Sequence, residues 1–206
     1  MEVRFTLVGE GPFDSALMPI IRWALLQHTH IASIAGEFAD PSRLPRPARG
    51  LAARLATALK LYPCNLLFVH RDADNQGRLQ RLSEINAALH ANSEQVPHVP
   101  VIPIRMTEAW LLISEEAIRR AAANPNGRAS LCLPSISKLE GRPNPKRELH
   151  QILKTASGLT GRLLTRFDEK LAAKRVAELI EDYAPLRQLT AFRDFEADLS
   201  SALRTP

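Results

Sequence analysis

A short apolar run at residues 65–70 limits what this chain can fold into more than any other segment. The run has the length of one strand and does not alternate between apolar and polar residues. This pattern predicts a strand buried on both faces, as in a parallel sheet that is covered by helices on two sides. The polar cluster that begins at Arg71 ends the predicted strand.

Strand-like and helix-like segments alternate around this run. Strands are predicted at residues 3–8, 31–34, 65–70 and 98–104, and helices at residues 14–27, 51–61 and 76–90. Pro100 and Pro103 place the fourth strand at a sheet edge or make it irregular, because proline cannot donate a ladder hydrogen bond. A proline-rich surface loop is expected at residues 40–47. The alternation predicts an α/β fold with a mostly parallel sheet flanked by helices.

The rest of the chain is predicted to be mainly helical. Helices are expected within residues 107–123, 146–153, 166–182 and 189–203, with a loop-rich segment at 124–145. We interpret residues 1–122 as the α/β core. Residues 123–206 are interpreted as a helical, basic C-terminal extension that packs on this core.

Composition excludes several classes of protein. Of the 206 residues, 45% are hydrophobic and 24% are charged, which is typical of a globular protein and not of a disordered one. No apolar run has the length of a membrane span, and the first residues lack a signal-peptide pattern. Cys64 and Cys132 form no metal-type pair and are expected to be small buried hydrophobes in a reducing compartment. These features predict a cytoplasmic protein.

The net charge of +5 is distributed unevenly. Residues 138–175 contain ten Lys or Arg and four Asp or Glu, a local excess of +6. Residues 176–206 contain three basic and six acidic residues, a local charge of −3. A basic stretch attracts phosphate backbones through charge and counterion release. A solvated helix face is the other common meaning of such a run.

Acidic residues stand directly after the predicted strands. Glu10 follows the first strand, and Asp72 and Asp74 follow the third. The carboxyl ends of parallel strands meet at one edge of a sheet, so these three carboxylates are expected to lie together. Clustered carboxylates repel one another unless a cation neutralises them, and oxygen ligands suit Mg²⁺, Mn²⁺ or Ca²⁺. The sequence therefore predicts a site for Mg²⁺ or Mn²⁺.

Each of these carboxylates also has a structural explanation. Asp74 could cap the helix that follows it, since Asp is among the best capping residues. Asp72 could pair with Arg71 or another base, and Glu10 could lie in a solvated turn.

Further candidate residues follow in the chain. Glu108 comes after the fourth predicted strand and could be a ligand, a water-orienting group or a base, or simply an acid favoured in the first turn of a helix. Lys146 opens a helix in the basic stretch and could neutralise phosphate charge, or be a solvated lysine. His70 ends the buried strand and has either a structural role or one in phosphate binding or proton transfer. Trp110 is expected in the core.

Three nucleotide and hydrolase motifs are absent from the sequence. The segment Gly9-Glu10-Gly11 lacks the third glycine of a dinucleotide fingerprint. The chain contains no G-x-x-x-x-G-K-[ST] loop and no G-x-S-x-G nucleophile elbow. The chain is therefore not expected to bind ATP by itself in these ways.

The ordered motifs resemble the Toprim-like group, a metal-binding fold shared by topoisomerases, primases and several nucleases. Its mark is Glu-Gly after the first strand and Asp-x-Asp after a later one. A small bacterial Toprim-like family is more similar still, with E-G-x-x-D, D-x-D, E-x-W and D-P-K segments in that order. The matching segments here are Glu10 to Asp14, Asp72 to Asp74, Glu108-Ala109-Trp110 and Asn144-Pro145-Lys146. Asn144 departs from the pattern, because the family has Asp there.

The resemblance covers residues 3–149 and implies a metal-dependent nuclease. Relatives of this type, the overcoming-lysogenization-defect nucleases, are joined to an ATPase, which implies a role in phage defence or DNA processing with an ATPase partner. In this hypothesis Glu10, Asp72 and Asp74 bind Mg²⁺ or Mn²⁺, and Glu10, Glu108 and Lys146 act in hydrolysis of DNA or RNA phosphodiesters. Two other functions stay open: a non-catalytic binding subunit of an ATPase complex, and Mg²⁺-dependent phosphotransfer on a small phosphorylated substrate.

Overall fold

Four parallel strands form the centre of the protein, in the order β2-β1-β3-β4. The computed structural model describes residues 1–40, 49–92 and 96–204. The strands are β1 (Glu2–Val8), β2 (Ser33–Ala39), β3 (Leu66–His70) and β4 (His98–Val101). The predicted α/β class and parallel sheet are confirmed, and β4 is at an edge of the sheet as its prolines require. The loop predicted at residues 40–47 lies, apart from Asp40, outside the described residues.

Helices cover both faces of this sheet. They are α1 (Leu17–Leu26), α2 (Leu51–Leu61), α3 (Arg78–His90), α4 (Glu115–Ala121), α5 (Pro145–Ser157), α6 (Gly161–Thr165), α7 (Glu169–Leu179) and α8 (Thr190–Ala202). Short 3-10 turns lie at Pro12–Ala16, Thr107–Leu111, Ile136–Gly141 and Ala184–Gln188. In the described part of the chain, no helix combines the length and the apolar character that crossing a bilayer requires.

The two faces of the sheet bury different cores. Successive strand side chains alternate between faces. Phe5 and Phe68 therefore point into a large core that α1 and the C-terminal helices complete, where Trp110 and Phe195 form part of an aromatic cluster. The intervening residues, such as Val69, point into a smaller core under α2 and α3. All five residues of β3 are buried, as the unbroken apolar run predicts.

The helices after residue 122 pack on the sheet through this large core. The aromatic rings of α8 contact Phe68 of β3 and Trp110 of the 3-10 turn, so the C-terminal segment completes one face of the sheet. The division into residues 1–122 and 123–206 stays a prediction.

The second strand differs from its prediction. It was expected at residues 31–34 and lies at Ser33–Ala39, where it pairs with all of β1. As an edge strand it alternates between exposed and half-buried residues, so it has no strong apolar run. Gly36 adds to this weakness, because its missing side chain makes room for the Phe5 ring: a Cβ there would lie 2.3 Å from Phe5 Cζ.

Two predictions about side-chain burial were wrong. The apolar pattern of residues 76–90 predicts that Leu79 faces inward, but Leu79 is 84% exposed, whereas Arg81 on the same helix is buried. Both cysteines were expected to be buried, but Cys132 is exposed and Cys64 is half-buried. The sequence leaves open whether residues 114–123 continue the helical segment from Thr107 or form a second helix. The structure shows a second helix, α4, which begins where the Ser114 hydroxyl accepts the Ala117 N–H.

Candidate carboxylate site

The candidate site lies at the topological switch point of the sheet, between β1 and β3. The chain leaves β1, adds β2 on one side of it, and then returns to add β3 on the other side. Loops after β1 and β3 consequently diverge and leave a crevice at the carboxyl ends of these two strands, which is where open α/β sheets bind ligands. Glu10 follows β1, and Asp72 and Asp74 follow β3, so all three predicted ligands stand at this crevice.

The loop that carries Glu10 is organised by Asp14. Asp14 Oδ2 accepts the backbone N–H groups of Glu10 at 2.6 Å and Gly11 at 3.0 Å. The sequence offers Asp14 or Ser15 as a cap of the first helix, but the buried Asp14 carboxylate turns back on the loop before it. Gly9 allows this turn, because a Cβ at Gly9 would lie 2.6 Å from Asp14 Oδ2. Arg54 of α2 fixes the same loop by donating to the Gly9 carbonyl at 3.0 Å.

Asp72 lies in the middle of the site. Its Oδ1 accepts the Thr107 N–H at 3.0 Å, and only 20% of its side chain is exposed. Burial, together with the nearby negative charges of the other site carboxylates, raises the pKa of Asp72 to about 8. These neighbours are, from the strongest effect to the weakest, Glu108, Asp14, Glu10 and Asp74. Four carboxylates from the segments after β1, β3 and β4 therefore lie around a fifth, the partly desolvated Asp72.

His70, the last residue of β3, lies close to two of these carboxylates. Its Nδ1 lies 3.0 Å from the Val101 carbonyl, which can only accept, so Nδ1 carries a hydrogen and donates. The opposite nitrogen, Nε2, lies 3.6 Å from Asp14 Oδ1, 3.5 Å from Asp72 Oδ1 and 3.3 Å from Thr107 Oγ1. This side of the ring therefore faces both acids. The structure thus places His70 inside the acidic cluster.

Two arginines neutralise the outer carboxylates. Arg71 Nη1 lies 2.6 Å from Glu10 Oε1, and its Nη2 lies 2.9 Å from Glu84 Oε1. Arg81 Nη2 lies 3.2 Å from Asp74 Oδ2, and its Nη1 lies 3.0 Å from Glu84 Oε2. Arg71 therefore pairs with Glu10 and not with Asp72, and Glu84 joins both arginines into one network.

The backbone at Asp74 is also unusual. Asp74 has φ +47°, in the left-handed region, which Asp tolerates better than most residues. Its N–H donates to the carbonyl of Arg105, which has φ +66°. The cap expected at Asp74 is absent, because α3 begins after Gly77. Strained conformations of this kind persist where surrounding structure enforces them, often at functional sites.

Glu108 and Lys146 meet at the other rim of the site. Glu108 is buried, and its burial raises the pKa of its carboxyl group although Lys146 Nζ lies 4.0 Å from Oε1. Lys146 reaches this position from the first turn of α5. Asn144 is the N-cap of that helix, with Oδ1 accepting the Arg147 N–H at 2.9 Å. Asn144 is thus a helix cap in the position where the similar family carries Asp.

All predicted site residues come to one region, but they are not arranged as an assembled metal centre. Within the described ranges, no group of three or more His, Cys, Asp or Glu side chains is placed to hold a metal ion. Two of the predicted ligands are paired with arginines instead. Glu10 forms an ion pair with Arg71, and Asp74 forms one with Arg81.

Sequence reasoning missed several residues of the site. Asp14, Arg81, Glu84 and Thr107 were not among the candidates, although the spacing Glu10-Gly11-x-x-Asp14 carried a signal for Asp14.

Comparison of the chain with protein-family models, curated proteins and solved structures finds no match.

Proposed function

We propose that this protein is a Toprim-like phosphodiesterase that hydrolyses DNA or RNA with Mg²⁺ or Mn²⁺. The observation that carries the proposal is the convergence of four carboxylates on a fifth, Asp72, which lies partly buried at the switch point of a parallel sheet. Such a cluster is unfavourable without positive charge, and its donor atoms are all carboxylate oxygens, which hard divalent cations prefer.

The chain's acids fit such a cation in number and chemistry. Glu10, Asp72 and Asp74 are the proposed ligands, because they follow the neighbouring parallel strands β1 and β3 at the same edge of the sheet. When bound, the cation would polarise a phosphoryl oxygen and lower the pKa of the attacking water. Binding requires the Arg71–Glu10 ion pair to open, because Glu10 Oε1 is otherwise engaged.

The remaining site residues have roles that follow from their position. Glu108 is buried, and this burial raises the pKa of its carboxyl group, so it is suited to accept or deliver a proton. Lys146 lies beside it with 47% of its side chain exposed, so it can reach a phosphate and still compensate Glu108. Asp14 positions Glu10 through the loop backbone.

The cellular setting of this activity is proposed on the Toprim-like resemblance. It includes an ATPase partner, a role in phage defence or DNA processing, and a cytoplasmic location. The ion pairs at Glu10 and Asp74 favour a second candidate, a non-catalytic subunit of an ATPase complex, because arginines already neutralise two of the proposed ligands.

The decisive experiment measures cleavage and metal binding together. Wild type and Asp72→Asn are incubated with single-stranded DNA, duplex DNA and RNA in Mg²⁺ or Mn²⁺, and metal affinity is measured by calorimetry. Glu2→Gln is the matched control, since Glu2 is exposed at the start of β1, at the opposite end of the strands. We expect cleavage by wild type and by Glu2→Gln, and loss of both cleavage and metal binding in Asp72→Asn.

Two outcomes would redirect the assignment. Absence of metal binding and of cleavage, with and without an ATPase partner, would favour the binding subunit. Hydrolysis of small phosphate esters with weak salt dependence would favour phosphotransfer on a small substrate, because polymer binding weakens steeply with salt.

A further inference from the structure

A row of basic side chains leads away from the carboxylate site along α5. Lys146, His150 and Lys154 follow at four-residue intervals, so they share one helix face with steps of about 6 Å along the axis. Lys170 of α7 lies beside them, because His150 interacts electrostatically with Lys146, Lys154 and Lys170. The basic row is defined as these four residues. It begins at Glu108, the buried acid of the site.

The basic row keeps an excess of positive charge. Its three lysines face one acid outside the site, Glu169, whose Oε1 lies 3.5 Å from Lys154 Nζ. Across the described part of the chain, Lys170 forms no ion pair and is exposed. The Lys154–Glu169 pair is half-exposed, and ion pairs near the surface contribute little and exchange readily for another anion.

The opposite rim of the site exposes acidic side chains instead of basic ones. Glu84 and Asp74 are 37% and 48% exposed there, and their partners Arg71 and Arg81 are mostly buried and already bound to carboxylates. A second polyanionic strand on that rim would meet these acids. One rim therefore attracts a phosphate backbone and the other repels it.

We propose that the basic row is the track on which one nucleic-acid backbone lies as it enters the carboxylate site, so that the preferred ligand is single-stranded. The proposal rests on the proposed function and deepens it by naming the strand type and the residues. Lys146, His150 and Lys154 form a single line on one face of α5, with Lys170 of α7 beside it, and one line of charges matches one backbone. None of the exposed large hydrophobic side chains in the described ranges is aromatic. The track therefore contacts phosphates and does not stack on bases, and binding is expected to be independent of sequence.

The test is a double variant, Lys154→Gln with Lys170→Gln, which leaves Lys146 and every site carboxylate in place. The control is Arg4→Gln with Lys60→Gln, which removes the same charge from exposed residues in β1 and α2. Binding of fluorescein-labelled oligothymidine is measured by anisotropy in EDTA, from about 50 to 200 mM salt. Duplex DNA and polyglutamate serve as competitors.

We expect the track variant to bind about tenfold more weakly and to lose about 1.4 from its salt slope, since each single-strand phosphate contact contributes about 0.7. The control should match wild type, and duplex DNA should compete less well than the single strand. Unchanged affinity and slope in the track variant would overturn the track. Equal competition by duplex DNA would overturn the single-strand assignment, and equal competition by polyglutamate would assign the row to an acidic protein.

The same variants separate this inference from the proposed function. Track-dependent binding by a protein that cleaves nothing in Mg²⁺ or Mn²⁺ would refute the nuclease and keep the track. Cleavage that is as fast in the track variant as in wild type at low substrate concentration would keep the nuclease and refute the track.

Discussion

The guanidinium of Arg71 lies 2.6 Å from the carboxylate of Glu10, so the protein supplies its own cation to the first acid of the site. The same guanidinium contacts Glu84, and 14% of its side chain is exposed. In the proposed function a metal ion would compete with Arg71 for Glu10. The site would then have two charge-balanced arrangements, one with arginine and one with a divalent cation.

Replacing Arg71 with Met should separate these arrangements. Without metal, the variant loses two ion pairs at a partly buried position, so its free energy of unfolding should fall by about 1–3 kcal/mol. Its affinity for Mn²⁺ should rise, because no ion pair has to open before Glu10 is available. Thermal unfolding and calorimetry measure the two effects. A variant that binds Mn²⁺ more weakly than wild type would show that Arg71 supports the site and does not compete for it.

Asp72 should make the metal-free protein less stable as the pH rises. Its pKa is 3.8 in the unfolded chain and about 8 in the folded protein. Between about pH 4 and pH 8 the folded state keeps a proton that the unfolded chain releases, so the free energy of unfolding falls by at most about 1.4 kcal/mol for each pH unit. Below about pH 4 this loss of stability is absent, and above about pH 8 it has reached its full size.

Asp72→Asn removes this titration and can still accept the Thr107 N–H. In EDTA, urea unfolding from about pH 5 to pH 8 should show a flatter stability profile for the variant, which becomes the more stable protein at the upper end. Parallel profiles for the two proteins would mean that Asp72 is ionised throughout this range.

The close approach of Gly9 to Asp14 predicts a cost for adding one methyl group. A Cβ at Gly9 would lie 2.6 Å from Asp14 Oδ2 and 2.7 Å from its Cβ, so Gly9→Ala must move the Asp14 side chain. We expect destabilisation of about 1–3 kcal/mol and weaker metal binding, because the Glu10 loop loses its anchor. Gly11→Ala is the matched control, since Gly11 is extended and has no atom within 4 Å of an added Cβ. Equal stability of the two variants in urea unfolding would contradict the tight packing.

Asp74 should be needed for cleavage and not for nucleic-acid binding. Asp74→Ala removes a proposed ligand that is 48% exposed, and it also costs stability, because alanine tolerates the left-handed backbone at φ +47° less well than Asp and Arg81 loses its partner. Cleavage in Mg²⁺ should disappear, whereas oligonucleotide affinity in EDTA should stay the same or increase, because a negative charge near the phosphate is lost. Gel assays and anisotropy measure the two properties on one preparation. Loss of binding in parallel with cleavage would place Asp74 in substrate recognition.

Much of the fold follows from local patterns. The unbroken apolar run at 65–70 predicted a strand buried on two faces, and β3 has that burial because α2 and the C-terminal helices cover opposite sides. The positions of Glu10, Asp72 and Asp74 after strands predicted one shared edge, because parallel strands end together. Edge strand β2 was displaced in the prediction, because an edge strand needs no apolar run.

The sequence by itself determined the α/β class, the parallel sheet and the edge at which the carboxylates stand, since these depend on periodicity and chain order. Only the tertiary structure decided the charge balance of the site. The contacts of Arg71 with Glu10 and Glu84, and those of His70 with Asp14 and Asp72, bring together groups from different loops and helices. The pKa of Asp72 likewise depends on burial and on charges that are distant in the chain, and electrostatic interactions act through space.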